Sequence, residues 1–130
     1  MKVFLSYARD DQEAARDIAT RLKDQGLDVW FDEWRIASGD NVAKQVGKAL
    51  DEADAMVVLV SPESMKSRSV REEIDFALTT PRFEGTLIPV VLKPTAQMPW
   101  ILLSMAVRTG KNRAAAVRKI LETLQTNAAR

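Results

Sequence analysis

The apolar segment from Ala55 to Val60 is the feature that most constrains the fold of this chain. All of its residues are hydrophobic, so a strand here needs cover on both faces. Strands of this kind occur in parallel sheets that carry helices on both sides. Other strand-like segments alternate with helical patterns; they are Lys2–Ser6, 27–31, 86–92 and a shorter fifth segment at 104–108. This alternation predicts an α/β fold with a doubly wound, five-stranded parallel sheet.

The strand lengths favour the flavodoxin-like strand order 2-1-3-4-5, with helices on both faces of the sheet. Pro89 interrupts the fourth strand and cannot donate to a strand ladder, which predicts a position near the sheet edge. Apolar residues recur at helical spacing in four segments: Ala15, Ile18, Ala19 and Leu22; Val42, Val46, Ala49, Leu50 and Ala53; Val70, Ile74, Ala77 and Leu78; and Val117, Ile120, Leu121 and Leu124. We expect one domain over residues 1–130, with a frayed tail over 126–130.

The composition restricts the chemistry that this chain can perform. Its 130 residues include no cysteine and no histidine, which excludes disulfides, thiolate nucleophiles, zinc-thiolate sites and Ser-His triads. Nineteen basic and eighteen acidic residues give a net charge of +1, too small to attract nucleic acid or an anionic membrane. No apolar stretch reaches the roughly 20 residues of a membrane span. We therefore expect a cytoplasmic protein whose chemistry depends on carboxylates, hydroxyls, lysine, arginine or tyrosine.

The predicted strand order also predicts where a ligand binds. In the order 2-1-3-4-5, ligands bind beyond the carboxyl ends of strands one and three, where the order reverses. We expect residues 6–9, residues 32–39 and Ser61 to line this crevice. Neither a G-x-G-x-x-G sequence nor a phosphate-binding P-loop is present. Strands one and three end in serines rather than in the acidic residues of a phosphate-accepting receiver domain, so that class is not supported either.

Polar residues of two segments follow the first two strands. Residues 4–11 read Phe-Leu-Ser-Tyr-Ala-Arg-Asp-Asp, and residues 31–40 read Phe-Asp-Glu-Trp-Arg-Ile-Ala-Ser-Gly-Asp. Tyr7 and Arg9 are expected at the crevice mouth, where an arginine can bind phosphate through two hydrogen bonds. Asp10 and Asp11 suit the start of the following helix, and one of them can cap it. Trp34 either packs beneath its loop or offers a stacking surface for a base.

A third segment, residues 67–74, reads Ser-Arg-Ser-Val-Arg-Glu-Glu-Ile and contains two adjacent glutamates. Successive residues of a helix are separated by about 100°. Relative to the apolar stripe of this helix, Glu73 lies about 85° to the side and Glu72 points almost directly away. We expect Glu73 to reach the crevice and Glu72 to meet water.

Together these three segments resemble the Toll/interleukin-1 receptor (TIR) domain family, and the resemblance runs nearly from end to end. The first matches the family's box one, F-[IV]-S-Y-[SAR]-x-x-D, and the second resembles its BB loop, D-x-x-x-[LI]-x-x-G. The third resembles S-x-W-[VC]-x-x-E-[LI], the pattern of prokaryotic NAD-cleaving members, with Ser69 where tryptophan is common. The resemblance implies that Glu73 is the catalytic glutamate. It implies substrate-binding roles for Ser6, Tyr7, Arg9, Asp32, Trp34, Gly39 and Ser69.

The resemblance implies an NAD+ nucleosidase of bacterial immune signalling that yields nicotinamide and either ADP-ribose or a cyclic ADP-ribose isomer. NAD+ is then the substrate, and neither a cofactor nor a metal ion is expected. Nicotinamide is cationic in NAD+ and departs neutral, so one carboxylate suffices without a general acid. The resemblance also implies self-association through the BB loop, residues 32–41, or contact with other TIR domains. Two alternatives stay open: a non-catalytic TIR–TIR interaction module, and an enzyme that acts on nucleotides other than NAD+.

Overall fold

A four-stranded parallel sheet forms the centre of the protein in a computed structural model, which describes residues 1–35 and 42–128. Its strands are β1 (Lys2–Ser6), β2 (Asp28–Trp30), β3 (Ala55–Val60) and β4 (Leu87–Val91). They follow the order β2-β1-β3-β4, with Phe4 of β1 paired to Trp30 of β2 and to Met56 of β3. The predicted order is therefore confirmed for four strands, and β4, which contains Pro89, is one of the two edge strands of this sheet, opposite β2.

The predicted fifth strand over 104–108 is wrong except at one residue. Val107 forms a single parallel bridge with Val90, accepting from the amide of Val91 at 2.9 Å and donating to the carbonyl of Pro89 at 2.8 Å. The preceding residues are used otherwise, because Met105 and Ala106 donate back to Leu102 and Leu103 in turns. Within 104–108, Val107 is the residue whose backbone pairs with β4.

Seven helices surround the sheet in the described part of the chain. They are α1 (Gln12–Asp24), α2 (Asp32–Arg35), α3 (Val42–Glu52), α4 (Pro62–Lys66), α5 (Arg68–Leu78), α6 (Trp100–Leu103) and α7 (Arg113–Ala128). Helix α7 continues through residues 126–128, where the sequence predicts fraying, and residues 129–130 lie outside the described part. None of these helices is long and apolar enough to cross a membrane.

Side-chain alternation along the strands divides the core between the two faces of the sheet. Val3 and Leu5 of β1 pack with the apolar sides of α1 and α7. Phe4, between them, packs with residues of α3 and α5 on the other face. Because successive strand residues point to opposite faces, Ser6 continues the Phe4 side, toward α5. This alternation decides which helix the last residue of β1 can contact.

The segment after β3 forms two helices where the sequence predicts one. Ser61 caps α4, with its hydroxyl accepting from the amide of Ser64 at 3.0 Å. Ser67 has an extended backbone, and its hydroxyl accepts from the amide of Val70 at 3.3 Å, so it caps α5. Val70, Ile74 and Ala77 of α5 are buried as predicted. Leu78, also predicted to face inward, is 39% exposed because it is the last residue of the helix.

Arg82 ties the turn before β4 to the carboxyl end of α3. Its guanidinium donates to the carbonyl of Ala53 at 2.9 Å and also to the carbonyl of Leu50. It lies 4.8 Å from the ring centroid of Phe83. Helix-terminal carbonyls lack intrahelical partners, so this side chain supplies hydrogen bonds that α3 cannot provide for itself.

We predict that Arg82→Met lowers the free energy of unfolding by about 1 to 2 kcal/mol, because its aliphatic stem is kept while both hydrogen bonds are lost. Urea unfolding of the two proteins measures the difference. Arg118→Met, which changes an exposed arginine of α7, serves as the control and should change stability by less than about 0.5 kcal/mol. Equal effects of the two substitutions would contradict this role of Arg82.

Candidate active site

A polar cleft of about 530 Å³ lies at the carboxyl ends of the first two strands. Three parts of the chain line it: the segment after β1, the segment after β2 and the start of α5. The lining residues are Tyr7, Ala8, Arg9, Gln12, Asp32, Glu33, Ser67 and Ser69. The cleft includes the residues after β1 and β2 that were expected to line a ligand site, but Ser61 at the end of β3 is not among its lining residues.

Glu73 of α5 is joined to β1 by a hydrogen bond. The hydroxyl of Ser6, a residue only 2% exposed, donates to Oε1 of Glu73 at 2.6 Å. Burial raises the pKa of Glu73 to about 7; the hydrogen bond from Ser6 opposes this rise, and the negative charges of Asp32 and Glu72 add to it. Glu73 is not among the lining residues. It lies next to the cleft, because its hydrogen-bond partner Ser6 directly precedes the lining residue Tyr7. Asp32, another lining residue, is near enough for its charge to add to the raised pKa of Glu73.

Glu72 points to solvent, as its position on the helix predicts. It is exposed and pairs with Arg68 at 2.9 Å, within the same helix. The neighbouring carboxylates therefore have different environments: Glu73 contacts the sheet, and Glu72 contacts only an exposed arginine among the contacts described. Their positions on the helix produce this difference, because α5 packs on the sheet through Val70, Ile74 and Ala77.

Tyr7 holds Asp32 at the cleft. The phenol of Tyr7 donates a short hydrogen bond to Oδ1 of Asp32, and its ring packs against Phe31 with centroids 5.3 Å apart. Burial, followed by the hydrogen bond to Asp32, raises the pKa of Tyr7 well above its usual range. Tyr7 is therefore a neutral donor at any physiological pH, and it links the loop after β1 to the start of α2.

The charges of the cleft come from Arg9, Asp32 and Glu33. Glu33 forms two hydrogen bonds with Arg16 of α1, at 3.0 and 2.7 Å, and the hydrogen bond from Arg16 lowers the pKa of Glu33. This pairing neutralises one carboxylate of the cleft. Arg9 is exposed and lines the cleft, so its guanidinium can reach an anionic group of a ligand.

Some of the predicted site residues are not found in the cleft. Trp34 is 41% exposed and packs edge-on against Phe31 at 5.1 Å, with Nζ of Lys23 5.4 Å from its ring centroid. It lines a separate groove, with Lys23, Leu27, Asp28 and Val29. Ser61, expected to line the crevice, is fully buried. Gly39 lies outside the described residues, as do positions 36–41 of the predicted BB loop.

Gln12 and Ser67 line the cleft but were not predicted to do so. The sequence could have indicated Ser67, since a serine three residues before Val70 is a typical helix cap. Gln12 had no such signal, because its place depends on the tight turn formed by Arg9–Asp11. Across residues 1–35 and 42–128, no group of three or more acidic side chains is arranged to hold a metal ion.

Comparison with known proteins connects this architecture to one family. A model of the TIR domain matches residues 3–125. The 2' cyclic ADP-D-ribose synthase BtTIR of Bacteroides thetaiotaomicron is 32% identical over 73 residues, which are 55% of this chain and 25% of that protein. The NAD(+) hydrolase TcpA of Theionarchaea archaeon (strain DG-70-1) is 30% identical over 91 residues, 68% of this chain and 27% of that protein. The chain thus spans about a quarter of the length of these curated relatives.

A solved structure supports the fold independently. The TIR domain of the Toll-related receptor TRR-2 from Hydra magnipapillata is similar with a TM-score of 0.76 and 18% identity, covering 98% of both chains. At this identity the similarity concerns the fold alone. This chain therefore shares its overall fold with that receptor domain.

The raised pKa of Glu73 predicts a pH dependence of stability. Between pH 4.5 and about 7, the folded state keeps a proton on Glu73 that the unfolded state has released. The free energy of unfolding therefore falls as pH rises through this range, by up to about 3 kcal/mol for this group. Glu73→Gln removes the titration, so the stability of this variant relative to wild type should increase between pH 4.5 and 8.

Denaturant unfolding at several pH values measures this difference. Glu72→Gln is the matched control, since it changes the exposed neighbour, and its stability relative to wild type should change much less over this pH range than that of Glu73→Gln. Equal changes for the two variants would contradict the burial of the Glu73 carboxyl.

Proposed function

The chain belongs to the TIR domain family, and we propose that it cleaves NAD+ between nicotinamide and ribose. The main support is the environment of Glu73, which matches the family's catalytic glutamate in the sequence motif. Its carboxylate is partly buried and accepts a hydrogen bond from Ser6 beside a polar cleft. The activities of two prokaryotic relatives, an NAD(+) hydrolase and a 2' cyclic ADP-D-ribose synthase, support the same substrate.

The reaction needs few catalytic groups. The bond between the ribose C1' atom and the nicotinamide nitrogen breaks, and its electron pair leaves with the nitrogen, so nicotinamide departs neutral. Positive charge then develops on the ribose ring in an oxocarbenium-like transition state. The carboxylate of Glu73 stabilises this charge, and it does so more strongly because it is shielded from water.

The hydrogen bond from Ser6 gives the two carboxylate oxygens of Glu73 different tasks. Oε1 is held by Ser6, which fixes the orientation of the group, while Oε2 remains for the ribose. Water attack at C1', with loss of a proton, gives ADP-ribose. Attack by an adenine nitrogen or another internal group of the same molecule gives a cyclic ADP-ribose isomer.

The remaining cleft residues suit the other parts of NAD+. Arg9 is positioned to bind the pyrophosphate through charge-assisted hydrogen bonds. Asp32, oriented by Tyr7, accepts from a ribose hydroxyl, and Ser69 contributes a further hydroxyl at the start of α5. We further propose that the protein acts in the cytoplasm in bacterial immune defence. On this proposal it becomes fully active when copies associate through residues 32–41.

One observation favours a second function, that of a non-catalytic TIR–TIR interaction module. Ser69 stands where NAD-cleaving members commonly have tryptophan, and it is exposed in the cleft. Tyr7 is the only aromatic residue among the lining residues of the described chain. A base entering the cleft would therefore have less aromatic surface to stack on, which weakens binding without affecting Glu73.

We predict that the concentrated protein, with or without a crowding agent, releases nicotinamide from NAD+. Glu73→Ala should lower the rate at least about 100-fold, because it removes the charge that stabilises the transition state. Chromatography of nicotinamide and of the ribosyl product measures both the rate and the outcome of the reaction.

Glu72→Ala is the matched control and should retain the wild-type rate, since its carboxylate faces solvent. Equal release by wild type and Glu73→Ala would overturn the role of Glu73. Absence of release by wild type in every assembled state would favour the interaction module.

A further inference from the structure

Asp11 is a buried carboxylate that the proposed reaction does not use. Asp11 is 4% exposed, and its Oδ2 accepts a hydrogen bond from the hydroxyl of Ser61 at 2.5 Å. Nζ of Lys93 lies 3.8 Å from its Oδ1. Ser61 follows β3, and Lys93 follows β4, so Asp11 connects the loop after β1 to the ends of two further strands. A buried charge is costly unless it is paired, and these contacts supply the pairing.

Asp11 also belongs to the tight turn that carries Arg9. The turn spans Arg9–Asp11, and the amide of Asp11 closes it by donating to the carbonyl of Ala8 at 2.8 Å. The sequence predicts Asp10 or Asp11 as a helix cap, yet neither this turn nor α1 has a side-chain cap. The carboxylate of Asp11 points away from the helix start and toward Ser61.

Ser61 is itself fixed in position. Its hydroxyl oxygen accepts from the amide of Ser64, and its own amide donates to Oγ of Ser64 at 2.8 Å. A serine hydroxyl has a single proton, and here that proton is directed to Asp11. Ser61 caps α4, which leads through Ser67 to the cleft side of α5. The hydrogen bond between Asp11 and Ser61 therefore joins two of the three parts of the chain that line the cleft.

We infer that Asp11 is a positioning residue, which sets the location of Arg9 relative to the start of α5 and so determines nucleotide affinity. The inference rests on the proposed function, because Arg9 is the group assigned to the pyrophosphate. Asp11 touches no ligand on this account. Its effect reaches the substrate through Arg9, and loss of its contacts lets the turn move while Glu73 and Ser6 stay in place.

The test is a double-mutant cycle with Asp11→Ala and Arg9→Ala. For nicotinamide release, Asp11→Ala should raise KM about 10-fold and change kcat by less than about threefold, since misplaced binding groups chiefly weaken binding. In the Arg9→Ala background the same substitution should change KM by less than about twofold. Asp11→Asn, which keeps an oxygen for Ser61, should restore much of the affinity.

Asp10→Ala is the matched control, because Asp10 lies in the same turn and is exposed; it should leave KM unchanged. If Asp11 had a purely structural role, Asp11→Ala would lower the thermal midpoint. It would also raise KM by the same factor whether residue 9 is arginine or alanine. That additive result would overturn the inference, as would a wild-type KM in folded Asp11→Ala. If Asp11→Ala does not fold, Ser61→Ala removes the same hydrogen bond and replaces it in the cycle.

Affinity for ADP-ribose, measured by calorimetry on the same variants, separates this inference from the proposed activity. If no form releases nicotinamide, the proposed activity fails. The non-additive pattern in ADP-ribose affinity would still support Asp11 as a positioning residue. Additive affinities, or no ADP-ribose binding by wild type, would overturn the inference.

Discussion

The hydrogen bond between Ser6 and Glu73 is the interaction on which the candidate site depends. It joins the last residue of β1 to the middle of α5 across the carboxyl edge of the sheet. The packing of α5 on the sheet keeps the carboxyl of Glu73 partly out of water, and the hydrogen bond from Ser6 fixes its orientation. Burial then raises the pKa of Glu73 to about 7, so this group can change its charge near neutral pH.

Two features of the fold place these residues opposite each other. Alternation along β1 directs Ser6 to the same face as Phe4, which packs with α5. Ser67 has an extended backbone and separates α5 from α4. The buried residues of α5 then fix the rotation of this helix about its axis, with Glu73 toward the sheet and Glu72 toward solvent. In a single continuous helix from Ser61, that rotation would instead be fixed by the residues of α4. The cap at Ser67 is therefore part of how the site is built.

The sequence contains enough information to predict the order of four strands, the position of β4 near the sheet edge, and that Glu73 rather than Glu72 turns toward the sheet. These depend on periodicity and strand order, which are local or topological properties. It does not predict the burial of Asp11 and Ser61 or the pairing of Glu33 with Arg16, because these contacts depend on how distant parts of the chain meet. The reduction of the fifth strand to Val107 has a local cause, since Met105 and Ala106 donate back to Leu102 and Leu103 in turns.

A carbon-13 NMR titration of the Glu73 carboxyl, in wild type and in Ser6→Ala, measures whether this group is buried and hydrogen-bonded to Ser6. We expect a wild-type midpoint near 7. In Ser6→Ala the midpoint should be higher, because the hydrogen bond from Ser6 favours the ionised form. A wild-type midpoint near 4.5, unchanged by Ser6→Ala, would show a carboxylate in open water and contradict the account.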